Sequence, residues 1–508
     1  MTTTPARKRP LAALLGAAGA EPLAAVPPVT VAGVAMDSRR LRPGELFLAV
    51  PGRRDDGRRH LADAVARGAA ALCVDGGVTE ADRAAAGAVP VVGVERLAAS
   101  VSRIAGAWFD DPSRALNVLG VTGTNGKTSC TFHLAQLLDR LGHRAAVCGT
   151  LGNGFPGRLH GTGLTTADPV TVQASLAWMR DAGARWVAME VSSHALDQER
   201  VSGVAFRGAL MTNLSRDHLD YHGTMEAYGE AKRKLFLVPG LEVAALNRDD
   251  AFTRGLRERI PAAVEVVDFS LEDRGASLHV DGLEHGPDGT RARVRSVWGE
   301  GVLRTRLLGD YSLSNLLGAV TLLAALGEPL EALLEAGDVA PVPGRLQTFA
   351  HPAGFKVVVD YAHTPDALVR ALAVLRAHFP GRVHCVFGCG GERDPGKRPE
   401  MARVAEAGAD RVVVTDDNPR GEDGDRIVAD ILAGFAAPEA VRVERDRRRA
   451  VETACAAAQA GDVVLVAGKG HETYQDGPTG RVHYSDAETV RTLLAAAGGD
   501  ASRRAAGA

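Results

Sequence analysis

Leu116-Asn117-Val118-Leu119-Gly120-Val121 runs directly into Thr122-Gly123-Thr124-Asn125-Gly126-Lys127-Thr128, and the order of these two segments sets the reading of the chain. The first is apolar and of strand length, while the residues from Lys127 onward pattern as a helix. Between them, glycines permit a tight turn whose backbone N–H groups converge on an anion, and the helix start adds positive potential. Lys127 supplies a mobile cation and the Thr128 hydroxyl a ligand for Mg²⁺. Gly123, Thr124, Asn125, Gly126, Lys127, Thr128 and Ser129 are therefore the expected cradle for a nucleoside triphosphate. The strict phosphate-loop pattern has glycine where this chain has Val121. A glycine-rich turn capping an ordinary helix is the alternative, and it leaves the preceding strand and the Lys-Thr pair unexplained.

A chain of 508 residues exceeds what one hydrophobic core organises, and about three domains are expected. The formal charge is −3 without a dominant Lys/Arg block, which argues against nucleic acid or an anionic membrane as the main partner. No apolar stretch reaches the length of a membrane-spanning helix. The six cysteines lack zinc-ligand spacing, as expected of reduced thiols in a cytoplasmic protein. Cys385 and Cys389 form the only close pair, read as buried thiols with a redox pair as the alternative. Arg7-Lys8-Arg9 before the apolar residues from Leu11 superficially matches an export signal. Export would separate an ATP-using enzyme from ATP, so a short amphipathic helix behind a ragged tail is expected instead.

Asp110-Asp111-Pro112-Ser113 and Pro341-Val342-Pro343-Gly344 mark boundaries, dividing the chain into residues 1–112, 113–342 and 343–508. Strand-like runs at Ala145-Val147, Trp186-Met189, Gly208-Met211 and Glu242-Leu246 alternate with helix-length segments, the pattern of a parallel sheet covered by helices. The alternation resumes at Lys356-Val359, Arg382-Phe387, Arg411-Val414 and Asp462-Val466, each followed by a polar loop at a strand's carboxyl end, where open α/β sheets bind ligands. The predicted class is α/β, with a smaller mixed N-terminal unit containing Met36-Asp37-Ser38-Arg39 and the strand-like Leu46-Val50. The tail from Gly498 to Ala508, small and polar, is expected to be disordered.

Glu190 closes a strand-like run ahead of Val191-Ser192-Ser193-His194, where a phosphate-loop protein places a metal-positioning carboxylate; a capping acid is the bland alternative. Asn213 to Gly223 concentrates imidazoles and carboxylates, including His218, after another strand, which suits Mg²⁺ or a phosphoryl group. Lys232 sits on a helix-like segment, where pattern alone favours an exposed lysine. Asp360 to Asp366 and Cys389 to Pro399 are further strand-end loops, and the second carries Arg393, Lys397 and Arg398 among glycines and prolines, suited to phosphates or carboxylates. Asp417-Asn418-Pro419-Arg420 and Gly468-Lys469-Gly470-His471-Glu472 add an arginine for a carboxylate and a glutamate for an ammonium group, a pairing that recognises a zwitterionic amino acid.

With these residues in order, nearly the whole chain resembles the Mur ligases, in the branch that attaches 2,6-diaminopimelate to UDP-N-acetylmuramoyl-L-alanyl-D-glutamate. Asp37-Ser38-Arg39, Thr122 to Thr128, Thr165-Thr166, Glu190 to Leu196, Asn213 to Gly223, Ala231-Lys232, Asn315, Pro343-Gly344-Arg345, Asp360 to Asp366, Gly390 to Pro399, Asp417 to Arg420 and Gly468 to Glu472 carry the resemblance. Ser129 departs from the second threonine of many relatives but retains a hydroxyl. The resemblance implies a uridine-nucleotide domain, a central ATPase and a C-terminal Rossmann-like domain for the amino acid. It implies that Ser38 contacts the uridylyl part and that Thr165, Thr166, Ser192, Gln198 and Arg200 hold the muramoyl dipeptide. Asn315, Arg345 and Asp360 fall on ATP positions. Arg393, Asp417, Asn418, Pro419, Arg420, Gly468 and Glu472 fall on the diaminopimelate motifs.

The resemblance also makes Lys232 a lysine carbamylated by CO₂, reversing the reading from pattern, and gives the metal ligands as Thr128, Glu190, His218 and the carbamate. Catalysis then rests on Lys127, Glu190, His218 and Lys232: the D-glutamyl γ-carboxylate attacks the ATP γ-phosphate, and the amine captures the acyl phosphate. A monomeric cytoplasmic enzyme is expected, with no nucleic acid and no membrane insertion. The rivals are a folylpolyglutamate synthetase-like ligase, which leaves Asp37-Ser38-Arg39 and Asp417 to Arg420 unexplained, and a non-catalytic ATP-binding module.

Overall fold

The computed structural model describes residues 7–52 and 55–506. The expected ragged tail, residues 1–6, lies outside them. Leu11–Ala17 is a helix whose Leu11, Leu14 and Leu15 are buried, the amphipathic spacing expected of a short surface helix. At the other end one expectation fails: the helix Asp486–Ala506 continues through residues expected to be disordered. The alanines of this segment favour helix strongly enough to carry it past Gly498 and Gly499. Residues 507 and 508 lie outside the described residues.

The chain forms two compact units, the first comprising Met1–His279, Ser296–Gly299 and Asn315–Ala336, the second Val280–Arg295, Glu300–Ser314 and Gly337–Ala508. Within the first, an N-terminal five-stranded sheet runs in the order Glu21–Pro22, Val91–Glu95, Ala71–Asp75, Leu46–Ala49, Val34–Ala35. It meets the central region through Ser102, whose hydroxyl accepts from Gly203 N at 3.0 Å. A Cβ on Gly203 would come within 2.6 Å of the Ser102 backbone, so only glycine allows this approach.

The central sheet of the first unit places side by side Ala145–Gly149, Trp186–Glu190, Asn117–Thr122, Phe206–Met211, Val243–Asn247 and Glu265–Ser270, all parallel. Helices such as Lys127–Arg140 and Pro169–Asp181 connect them. Because both faces are covered, the strands are mainly apolar, interrupted by residues such as Arg207, Glu265 and Asp268, and most read as short continuous runs in the sequence. Glu190 pairs in register with Val121, and Met211 with Thr122. The carboxyl ends of three adjacent strands therefore deliver the phosphate loop, Glu190 and Thr212 to one place.

The second unit has a six-stranded sheet in the order Gln347–Ala350, Lys356–Asp360, Val463–Ala467, Val383–Phe387, Arg411–Val414, Arg442–Val443, with only the first strand antiparallel. Alternate residues feed two cores: Val358, Cys385, Phe387 and Leu465 join one, Val357, Val359, Val386, Val464 and Val466 the other. Cys385 and Cys389 are free, buried thiols, and burial pushes both up to about 12, which leaves them inert rather than a reactive redox pair. Residues 280–295 and 300–314, assigned from the sequence to the central segment, group with this unit. His378 accepts from Gly309 N at 2.9 Å and so donates through Nδ1 to Gly286 O at 2.8 Å, and Lys356 donates to Asp288 at 2.9 Å.

Candidate active site

The phosphate loop is shaped by what stands behind its glycines. Gly123 has φ 142° and Gly126 has φ 86°. A Cβ on either would lie 1.9 Å from Thr212 Oγ1 or 2.3 Å from Asn315 Oδ1. Thr212 Oγ1 donates to Asn125 O at 2.6 Å, and Asn213 Oδ1 accepts from Asn125 N at 3.0 Å. The loop is thus braced by the end of the neighbouring strand and by Asn315. Lys127 opens the helix and donates to Gly123 O and Thr124 O, each at 2.9 Å.

Glu190 is buried and aimed at this loop. Its oxygens accept from Thr128 Oγ1 at 3.0 Å, from Thr150 N at 2.8 Å and from Thr150 Oγ1 at 3.2 Å. Burial raises its pKa, against the opposing effects of the Thr150 amide, the Lys127 charge and the two hydroxyls. The capping alternative does not apply, because Ser192, accepting from Ala195 N at 3.2 Å, caps the following helix. Gly149 is required here: a Cβ would lie 2.1 Å from Glu190 Oε1.

Lys232 overturns the expectation from pattern. It is 1% exposed, its Nζ donates to Gly123 O at 2.8 Å, and it lies 4.4 Å from the Tyr228 ring centroid. The helix Met225–Arg233 turns this face toward the phosphate loop rather than solvent. Burial pushes the ammonium down to about 6, the Lys127 charge adds to that shift, and Asp217 opposes it. His218 is exposed and left-handed at φ 52°. Its ring meets His194 at 4.8 Å and Tyr228 at 6.0 Å. The structure thus joins Thr128 directly to Glu190 and brings Lys232 onto the loop, while His218 stands off it, against the His194 and Tyr228 rings and beside Asp217 at 3.5 Å.

The residues expected around the dipeptide form one network with Glu190. Thr166 Oγ1 donates to Glu190 O at 2.8 Å and accepts from Ser192 N at 3.0 Å. Arg200 donates to Thr166 O at 2.8 Å and to Gln198 Oε1 at 2.7 Å. Thr165 accepts from Thr150 Oγ1 at 3.1 Å. Ser38 stands apart from them, buried at the start of the turn Ser38–Arg40, which Asp37 caps.

In the second unit, Asp360 is buried and accepts from Leu346 N at 2.7 Å and Ala362 N at 2.9 Å; burial raises its pKa, and Arg345 opposes the rise. The loop bases divide into two roles. Arg398 is buried against Glu422 at 2.7 Å and Asp430 at 2.8 Å, and Lys397 donates to His363 O at 2.8 Å. Arg398 is thus occupied by carboxylates and Lys397 is partly occupied, whereas Arg393 is exposed and carries no hydrogen bond or ion pair among the described residues. A Cβ on Gly390 would lie 3.0 Å from Arg420 Nη1 and 3.7 Å from Arg393 Cγ, so both arginines stand beside this glycine. Arg420 has φ 54° and donates to Gly391 O at 2.6 Å. Pro419 O would lie 2.0 Å from a Cβ on Gly391, so glycine lets the two loops touch. Asn418 donates to Glu472 at 3.0 Å, and Gly468 has φ 118°.

Three residues of these clusters escaped the sequence reading. Thr150 follows a strand end, a position that flags it as loop but not as a partner of Glu190. Tyr228, bonded to Thr124 at 3.2 Å, carries no signal on its helix. Lys469 lies within Gly468-Lys469-Gly470-His471-Glu472, where pattern alone singles out Glu472.

Chemically, the first cluster offers a glycine-lined cradle, a lysine at a helix start and one carboxylate beside a hydroxyl. No group of three or more His, Cys, Asp and Glu capable of holding a metal occurs among the described residues. A hydroxyl and one carboxylate fit Mg²⁺, which binds through few protein oxygens together with water and substrate phosphates.

This combination of a braced phosphate loop and a second parallel-sheet unit agrees with the comparisons. Residues 30–108 match the Mur ligase family catalytic domain, 121–323 the Mur ligase middle domain, and 344–470 the Mur ligase glutamate ligase domain. The chain belongs to the Mur ligase family, and so to the ATP-dependent, ADP-forming ligases. It is 51% identical over 470 residues to the UDP-N-acetylmuramoyl-L-alanyl-D-glutamate--2,6-diaminopimelate ligase of Ectopseudomonas mendocina (strain ymp), covering 92% of this chain and 96% of that one. A solved structure of a ligase of the same name superimposes with a TM-score of 0.71 at 35% identity, covering 92% and 95% of the two chains. Folylpolyglutamate synthase of Mycobacterium tuberculosis, complexed with ADP and AMPPCP, shares the fold alone, with a TM-score of 0.57 at 19% identity over 73% of this chain and 92% of that one. No helix among the described residues is long and apolar enough to cross a membrane.

Proposed function

We propose that this ligase forms the amide between 2,6-diaminopimelate and the D-glutamyl γ-carboxylate of UDP-N-acetylmuramoyl-L-alanyl-D-glutamate, consuming ATP as a substrate, in peptidoglycan precursor synthesis. The names of relatives at about half identity support this reading. The observation that carries it is the pair of arginines, Arg393 and Arg420, flanking Gly390, with Asn418 and Glu472 alongside. Diaminopimelate carries two carboxylates and two ammonium groups, and guanidinium, amide and carboxylate side chains are its complement. We assign residues 1–112 to the uridine nucleotide, 113–342 to ATP and 343–508 to the amino acid, with Ser38 on the uridylyl part.

A carboxylate is a poor electrophile, so the γ-carboxylate is activated as an acyl phosphate before the amine attacks. Lys127 and the loop amides stabilise the charge that develops on the phosphoryl oxygens. Thr165, Thr166, Ser192, Gln198 and Arg200 orient the dipeptide, while Asn315, Arg345 and Asp360 serve ATP. Thr128 and Glu190, with His218 and a carbamate on Lys232 completing the set, would hold Mg²⁺, which would neutralise phosphate charge. Lys232 suits carbamylation because a buried amine with its pKa near 6 is largely in the neutral form that CO₂ requires. The enzyme acts as a cytoplasmic monomer.

The test is an ATP-dependent ligation assay that offers meso-diaminopimelate, LL-diaminopimelate and L-lysine side by side, following ADP release with and without the nucleotide dipeptide. Diaminopimelate-dependent product is expected. Preference for lysine, or ADP release indifferent to the dipeptide, overturns the reading.

A further inference from the structure

Lys469 is fully buried and lies between the two motifs that the proposed function assigns to the amino acid. Its ammonium donates to Asn418 Oδ1 at 2.8 Å, Asp417 Oδ1 at 3.3 Å and Glu472 Oε2 at 3.4 Å. Three donors thus meet three acceptors, the full complement of an ammonium group that has no acceptor of its own. Gly468 and Gly470, at φ 118° and 54°, turn the chain inward at this point. A Cβ on Gly470 would meet Tyr361 at 2.7 Å.

The consequence falls on the neighbours. Asn418 Oδ1 accepts from both Lys469 and Asp476 N, the latter at 3.0 Å, so its amide nitrogen must face the other way, toward Glu472 Oε2 at 3.0 Å. Glu472 is then held by one oxygen, and Oε1 has no hydrogen bond among the described residues. Without the cation, Asp417 and Glu472 become like charges in a poorly solvated place and separate, and Asn418 Oδ1 keeps only the Asp476 amide to hold its orientation.

We propose that Lys469 is the positioning residue of the amino-acid site: it fixes the amide of Asn418 and presents Glu472 Oε1 to an ammonium group of the incoming amino acid. This rests on the diaminopimelate reading above and deepens it. The specificity consequence concerns the ammonium group remote from the new amide, which distinguishes diaminopimelate from L-2-aminopimelate, a substrate with both carboxylates and the reacting amine but no second amine.

The experiment compares wild type, Lys469→Met and Lys469→Arg in steady-state ligation with diaminopimelate and with L-2-aminopimelate, alongside thermal melting. Lys469→Met should raise KM for diaminopimelate about thirtyfold and narrow the diaminopimelate-to-aminopimelate ratio of kcat/KM about tenfold or more. KM for ATP and for the nucleotide dipeptide should stay within about twofold. A merely structural lysine would lower activity with both amino acids alike, and an unchanged ratio overturns the proposal. If Lys469→Met shows no folded transition, Lys469→Arg decides: it keeps the charge but not the single-point geometry, and should narrow the same ratio about threefold or more. An unchanged ratio there also overturns it. Wild-type enzyme that does not ligate diaminopimelate removes the parent reading and this one together, whereas wild-type ligation with unaltered variants removes Lys469 alone.

Discussion

Lys127 and Lys232 donate to the same acceptor, the carbonyl oxygen of Gly123, at 2.9 and 2.8 Å. Two ammonium groups on one carbonyl repel each other, and the Lys127 charge adds to the burial that lowers Lys232 to about 6. The proposed function gives the two lysines separate tasks, Lys127 as a cation toward phosphate and Lys232 as an amine open to CO₂.

Lys127→Ala should leave the fold intact and lower kcat about 10² to 10³ or more, because the lost charge acts on phosphoryl transfer. Steady-state kinetics with a melting curve checks this. Activity within about tenfold of wild type would sink the nucleotide-loop assignment.

Lys232→Ala should lose activity and regain part of it with a small carboxylate such as acetate, which can occupy the place of the carbamate. Lys232→Arg should not be rescued. A fully active Lys232→Ala enzyme, or native mass spectra showing a plain amine in the presence of CO₂, would count against the carbamate.

The buried amine also predicts a pH dependence of stability in CO₂-free buffer. Folding lowers the Lys232 pKa from 10.5 to about 6, so between those values the unfolded chain binds more protons and folding becomes more favourable as pH rises. Below about 6 both states are protonated and the cost of burying the charge is fully present. Relative to Lys232→Met, wild type should therefore gain stability through this window, by at most about 1.4 kcal/mol per pH unit. Parallel denaturation curves for the two proteins across the window would refute it.

Gly149→Ala tests the fixed position of Glu190, since the added methyl would sit 2.1 Å from Oε1. We expect a destabilisation of about 1 to 3 kcal/mol and a fall in kcat resembling that of Glu190→Gln. A fully active Gly149→Ala enzyme would show that the carboxylate need not stay where it is.

Arg420→Ala should cost about 2 to 5 kcal/mol, or roughly thirtyfold or more in kcat/KM for diaminopimelate, by leaving a substrate carboxylate unpaired. Turnover of L-lysine, which lacks that group, should change much less. If the diaminopimelate-to-lysine ratio does not move, another residue reads the distal carboxylate.

The strands around the site were legible before any coordinates because parallel strands covered on both faces are continuous apolar runs. Trp186–Glu190 and Lys356–Asp360 each extend only one residue beyond their predicted runs. The loops at their ends were legible as well, since glycines and charged groups crowded after a strand have a local conformational or chemical reason to be there. The packing of segments 280–295 and 300–314 with the second unit was not, because it depends on contacts such as His378 with Gly286 that no local pattern encodes, even though the middle-domain match runs through both segments to residue 323.

What the chain by itself determined was therefore the alternation of strands and helices around the site and the position of the phosphate loop, properties set by nearest neighbours in sequence; the strands from Glu265 to Thr305 were not among them. Only the tertiary structure decided that Lys232 and Lys469 are buried, that Arg398 is spent on Glu422 and Asp430, and that Thr150 serves Glu190. A charged side chain reads alike in any sequence; its role depends on which partners, far along the chain, replace the water it loses on folding.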